Sequence, residues 1–145
     1  MRTVPSETEL AAHLRLALAR VARRLRQEAS SDLSPSLTSA LASIELHGPL
    51  TPTELSVCER VQRPTVTRVL ARLLEMELID RAAAPGDGRS TLISISETGR
   101  ELLRQVRTRK DAFLTQRLRE LDAEDRAVLD RASEVLERLL DDDRP

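Results

Sequence analysis

The chain has 145 residues, 40% hydrophobic and 32% charged, with a formal charge of −1. That mix suits one globular domain, or one domain plus an oligomerisation element, and excludes a disordered chain. One cysteine excludes an internal disulfide, no stretch approaches the roughly 20 apolar residues that span a bilayer, and a single aromatic residue, Phe113, leaves no stacking platform for single-stranded nucleic acid.

The charge is unevenly placed. Residues 33–59 hold three acids and no Lys or Arg, residues 60–109 hold ten arginines against six acids, and residues 111–145 hold eleven acids against six arginines. A basic block of this kind points to a polyanion partner. Arginine bias is a competing source, because Lys110 is the one base in 23 that is not arginine. The N-terminus carries no signal-peptide core, so a cytoplasmic location is expected.

In chain order, Ser6 with Glu9 makes a capping-box pattern. Leu10, Leu14, Leu18, Val21 and Leu25 then recur at spacings of three and four, which predicts an amphipathic helix over residues 7–28. Ser34-Pro35 starts a second helix that ends near His47-Gly48-Pro49. Thr51-Pro52-Thr53-Glu54 supplies a cap, a first-turn proline and a capping-box acid for a short third helix over residues 52–60. Pro64 opens a fourth, to Met76. Residues 61–63 alone separate the two, which is helix-turn-helix geometry.

Leu78–Ala82 and Thr91–Ser96 read as short strands, with Ile93 and Ile95 on one face. The Gly-, Pro- and Asp-rich segment between them turns, and is expected to present Asp87-Gly88-Arg89 at the ribbon tip. Ser96-Glu97-Thr98 begins a long fifth helix over residues 97–120, and Asp122 with Asp125 caps a sixth to Leu140. Asp141-Asp142-Asp143 sits at the negative end of that helix dipole, so fraying is expected there.

The fourth helix splits into two faces. Val66, Val69, Leu70, Leu73 and Met76 form an apolar side, while Thr65, Arg68 and Arg72 line another, with Arg63 and Thr67 flanking it. A recognition helix needs this division, because one side holds the domain and the other reaches base edges and phosphates. Arginine can donate two parallel hydrogen bonds to guanine, and threonine hydroxyls suit phosphate oxygens. A solvated face of a structural helix gives the same pattern, so the ribbon that follows matters. An arginine on a ribbon can enter a narrow minor groove, and Asp87 could pair with Arg89, Arg72 or Arg81 to fix it.

From about Leu37 to Leu103 the chain resembles the DNA-binding domain of MarR-type transcriptional regulators. The resemblance is carried by Thr67-Arg68, Arg72-Leu73 and the Asp87-Gly88-Arg89 wing, and it departs slightly at the start of the next helix, where Ser96-Glu97-Thr98-Gly99 stands for the family's Thr-x-x-Gly. Glu77 stands where the family commonly has glycine. The resemblance implies a mainly α (α+β) winged helix-turn-helix domain over residues 33–96, with helical dimerisation regions at 1–32 and 97–145. It implies a homodimer on double-stranded DNA, a pseudopalindromic operator, and a small, commonly phenolic, effector bound between the two regions. With one aromatic residue, such a pocket would be aliphatic and arginine-lined. In the sixth helix Val128, Ala132, Val135 and Leu139 make one stripe, and Leu129, Leu136 and Leu140 an adjacent one, wide enough to pack on a partner.

The site residues expected on DNA are therefore Arg63, Thr65, Thr67, Arg68, Arg72, Asp87 and Arg89. No catalytic residue, metal site or cofactor is expected, since His13, His47 and Cys58 lie at no ligand spacing. Competing readings are a winged-helix protein–protein module without DNA binding and a redox sensor acting through Cys58. Beside Leu55 and Val61, that cysteine reads better as a small buried apolar residue.

Overall fold

A computed structural model describes residues 3–141. Its order is α1 Glu7–Ala29, α2 Pro35–His47, α3 Pro52–Glu59, α4 Arg63–Glu75, β1 Ile79–Ala84, β2 Asp87–Ile95, α5 Glu97–Arg119 and α6 Ala123–Asp141. The chain forms two compact units, one through Lys110 and one from Asp111. Among the described residues no helix is long and apolar enough to cross a membrane.

The helix starts follow their caps. Ser6 and Glu9 close a full capping box on α1, and Thr51 with Glu54 does the same on α3. Ser34 accepts from the Leu37 amide with Pro35 in the first turn of α2. On α6, Asp122 Oδ1 accepts from the Asp125 amide at 2.8 Å. Asp142 and Asp143, on which the expected fraying falls, lie outside the described residues.

The first unit's core joins α2, α3, α4 and the ribbon through Leu41, Ile44, Leu55, Val66, Leu70, Leu73, Ile79, Ile93 and Ile95, with Leu103 from α5. Each such side chain fully withdrawn from water contributes about 1.5–3 kcal/mol. Val69 and Met76 of the expected α4 face pack at the margin of this core.

The turn between α3 and α4 is made by a residue in left-handed conformation. Arg60 has φ 52°, and the Val61 amide reaches back to the Ser56 carbonyl at 3.1 Å. The end of α4 repeats the device. Glu77 has φ 60°, its amide donates to the Leu74 carbonyl at 2.9 Å, and the Leu78 amide donates to the Leu73 carbonyl at 3.0 Å. These paired bonds are a Schellman motif, which normally takes glycine at the left-handed position. Glu77 thus keeps the conformation without the residue that fits it best.

β1 and β2 pair antiparallel, with Ile79 opposite Ile95 and Arg81 opposite Ile93. Leu50 adds an isolated rung to β2: its amide and carbonyl exchange hydrogen bonds of 3.0 and 2.8 Å with Ile93. Ser96 then ties the ribbon to both neighbouring helices. Its hydroxyl donates to the Glu77 carbonyl and accepts from the Gly99 amide, capping α5, while its amide donates to the Leu78 carbonyl. A side chain on Gly99 would run into that same Leu78 carbonyl oxygen and come within 2.9 Å of Ile95 Cγ1.

The second unit is different in character. α6 buries none of its residues. Val128 is 60% exposed and Leu139 67% exposed, and both lie on the apolar stripes expected for partner packing. In the first unit α1 is similarly bare, with Leu10, Leu16, Leu18 and Val21 all exposed.

Candidate nucleic-acid interface

α4 is held by its apolar side, so its other side faces outward. Arg63, Thr67, Arg68 and Arg72 are exposed and Thr65 is half-buried. The side chains differ in how far they are committed. The Arg63 guanidinium donates to Thr53 Oγ1, tying the start of α4 to the first turn of α3. The Thr67 hydroxyl donates to the Arg63 carbonyl at 3.1 Å, four residues back. Arg72 pairs with Glu75 at 2.9 Å, one turn along the same helix. Arg68 makes no ion pair among the described residues.

Gln62 gives α4 no side-chain cap, so the positive end of its dipole is open to an anion. Beside this face sits the start of α2. Ser34, Ser36, Thr65 and Arg68 line one shallow groove, which brings two serines of the α2 start beside the outward side of α4. The sequence reading did not include them. Their signal was the Ser34-Pro35-Ser36 cap itself, read there only as a helix start.

The wing corrects one expectation. The ribbon turns at Pro85-Gly86, where Gly86 has φ 80°. Asp87-Gly88-Arg89 is not the tip but the first part of β2. Ala83 pairs with Thr91 and Ala84 with Asp87, so one step on β1 faces four on β2 and residues 88–90 loop outward. The physical reason is the Pro-Gly pair, which sets a tight turn as soon as it is reached. Arg89 is exposed on this bulge. The pairing expected of Asp87 falls on a side chain outside the described residues.

Cys58 corrects another. It is exposed, not buried. α3 has eight residues and turns Leu55 and Glu59 inward, one helical turn apart. Cys58 therefore rotates outward. Glu59 was not singled out from sequence, yet it joins α3 to α2: Ser39 and Ser43 donate to its two oxygens at 2.7 and 2.5 Å. The signal was present as Ser36, Ser39 and Ser43 on one face of α2.

A cavity of about 300 Å³ opens between the end of α1, the start of α2 and the middle of α5. Leu25, Ala29, Leu33, Pro35 and Val106 make aliphatic walls, and Arg26 and Lys110 bring positive charge beside the hydroxyls of Ser31, Thr38 and Ser39. The walls are aliphatic, and one of the two cations is the chain's single lysine. Nearby, Arg109 donates to the Ala29 carbonyl at 2.8 Å and so caps the end of α1 from α5. Among the described residues no cluster of three or more His, Cys, Asp or Glu could hold a metal ion.

The MarR family profile matches residues 33–91, which cover α2, both helices of the helix-turn-helix, the wing turn and the bulge. The HTH-type transcriptional regulator Mb0904 of Mycobacterium bovis is 40% identical over 94% of this chain and 96% of its own. The chain belongs to the MarR family. Its fold agrees with that of a structure from Pseudomonas aeruginosa PA01 described as a transcriptional regulator, at 34% identity and a TM-score of 0.86 over 96% of this chain and 99% of the other. Wild-type MarR of E. coli in its apo form is similar at 25% identity and a TM-score of 0.73, over 96% and 99% of the two chains. This MarR-family protein is a transcriptional regulator with the family's winged helix-turn-helix fold, and α4 is the second helix of its helix-turn-helix.

Proposed function

We propose that this MarR-family chain is a homodimeric repressor that binds a pseudopalindromic operator and is released by a small anionic effector. The observation that carries the reading is the divided surface of α4. Val66, Leu70 and Leu73 are buried in the core while Arg63, Thr67, Arg68 and Arg72 face outward. Arg63, Thr65, Thr67 and Arg68 work in the major groove and on its flanking phosphates. Arg68 is the base reader of the set, because its guanidinium is not engaged in an ion pair. Arg72, paired with Glu75, serves the phosphates. Arg89 enters the adjacent minor groove from the bulge, with Asp87 orienting it.

The bare apolar faces of α1 and α6 support a second copy of the chain as partner. A two-fold dimer offers two α4 helices to half-sites about one DNA turn apart. The α1–α2–α5 cavity supports the effector. Its volume lies at the lower end of small-molecule sites, and aliphatic walls with two cations suit a small carboxylate or phenolate.

The test is titration of the protein onto DNA from its own promoter region at several salt concentrations. Affinity is expected to fall steeply with salt as counterions are released. Absent binding, or binding indifferent to salt, overturns the reading. A winged-helix protein–protein module without DNA binding would give the first of these results.

A further inference from the structure

We propose that Ser39, Ser43 and Glu59 form a latch that couples occupancy of the α1–α2–α5 cavity to the seating of α3, and through it to the helix-turn-helix. The inference rests on the effector reading above and names the residues that would transmit it.

Glu59 is half-buried, and among the described residues it makes no ion pair. Its charge is held instead by two hydroxyls of α2, Ser39 at 2.7 Å and Ser43 at 2.5 Å. Short O–H···O⁻ bonds of this kind are the strong class of hydrogen bond.

The two partners of the first bond face different spaces. Ser39 lines the cavity with Arg26 and Lys110. Glu59 lines a small crevice against Leu55 of α3 and Thr65 and Val66 of the recognition helix. The Ser39–Glu59 bond therefore stands between the candidate effector site and the underside of α4.

A serine hydroxyl has one proton to donate. With the cavity empty, Glu59 holds it. A carboxylate drawn in by Arg26 and Lys110 competes for the same proton, and Glu59 is left with Ser43 alone. One of the two hydrogen bonds from α2 to Glu59 is lost, and α3 carries Thr53, which receives the Arg63 guanidinium of α4. DNA favours the latched state and the ligand favours the open one. Linkage then requires that weakening the latch alters both affinities, in opposite directions.

The experiment uses the full-length protein, with benzoate as the probe and benzamide as its uncharged control. Benzoate binding is measured by calorimetry, and promoter-DNA binding by fluorescence anisotropy. Glu59→Ala, and the isosteric Glu59→Gln should alanine unfold the chain, are expected to weaken DNA binding by about tenfold or more, because alanine removes and glutamine leaves uncharged both hydrogen bonds of the latch. The same variants should bind benzoate several-fold more tightly, because the Ser39 proton is released, and should respond less to benzoate when on DNA. Benzamide should do neither. Weaker DNA binding with unchanged benzoate affinity shows a merely structural glutamate and overturns the latch while leaving the effector reading standing. Failure of benzoate to bind the wild-type protein overturns the carboxylate site and the latch together. Failure of the wild-type protein to bind DNA overturns the proposed function itself.

Discussion

Gly99→Ala should destabilise this protein far more than an alanine at Gly88, on the preceding strand. A Cβ on Gly99 would be driven into the Leu78 carbonyl oxygen and lie 2.9 Å from Ile95 Cγ1. Gly99 sits in the first turn of α5 and is buried, so neither side can yield freely. Moving Leu78 also strains its hydrogen bond from the Ser96 amide at 3.0 Å. Overpacking of this kind costs about 1–3 kcal/mol and the lost hydrogen bond about 1, giving a total of about 2–4 kcal/mol. With an unfolding entropy of roughly 2.1 cal/mol/K per residue over 145 residues, Tm should fall by about 7–13 °C. Gly88 is the control. Nothing lies within 4 Å of its added Cβ, and its backbone is not left-handed. Gly88→Ala should leave Tm unchanged or raise it slightly. Differential scanning calorimetry of the two variants decides the matter. Equal Tm values for Gly99→Ala and wild type would refute the close-approach argument.

Arg68→Ala should cost about 1–3 kcal/mol of operator affinity and relax preference at one base position. A uniform loss across all sequences would reassign Arg68 to phosphate. Arg89→Ala should weaken DNA binding while size-exclusion chromatography shows an intact oligomer; unchanged affinity removes its minor-groove role. Glu77→Gly relieves a left-handed residue at φ 60°, worth about 1–2 kcal/mol, against an entropic loss of about 0.5–1. A Tm gain of a few degrees is expected, and a fall would show that the Glu77 side chain does something else. Hydrogen bonds from Arg104 and then Gln105 hold the Glu101 carboxyl down to about 2. Its contribution is fully present above the ordinary carboxylate range and is lost as pH falls toward that value. Because the group is exposed, salt should weaken it, and an NMR titration midpoint near 4.5 at low salt would refute the pairing.

Much of the fold could be read from local signals. Ser6, Thr51, Asp122 and Pro52 mark helix starts because a cap satisfies amides within three residues of itself. The division of α4 into a core side and an arginine side was legible because a helix repeats every 3.6 residues. Non-local features were hidden. The Ser39–Glu59 bond joins residues twenty apart, and no period in the sequence links them. The Leu50–Ile93 rung spans a greater separation still. The wing tip was misplaced because glycine and proline were dense over residues 85–88, and the turn belongs to the first pair that can make it. Cys58 was misjudged because three residues along a short helix is not the same direction as four.

The Leu50–Ile93 rung carries a consequence for how the chain is made. Its two hydrogen bonds close a ring from residue 50 to residue 93 that contains α3, α4 and β1. Contacts of such separation form late, because the loop must close before they return anything. On the ribosome, α3 and α4 emerge and turn helical well before Ile93 is synthesised. They gain their final seat only when the second wing strand returns to Leu50. A nascent or truncated chain ending short of Ile93 would thus carry both helices of the helix-turn-helix in sequence without the Leu50–Ile93 closure, so the complete winged fold arrives in one step with the return of the wing.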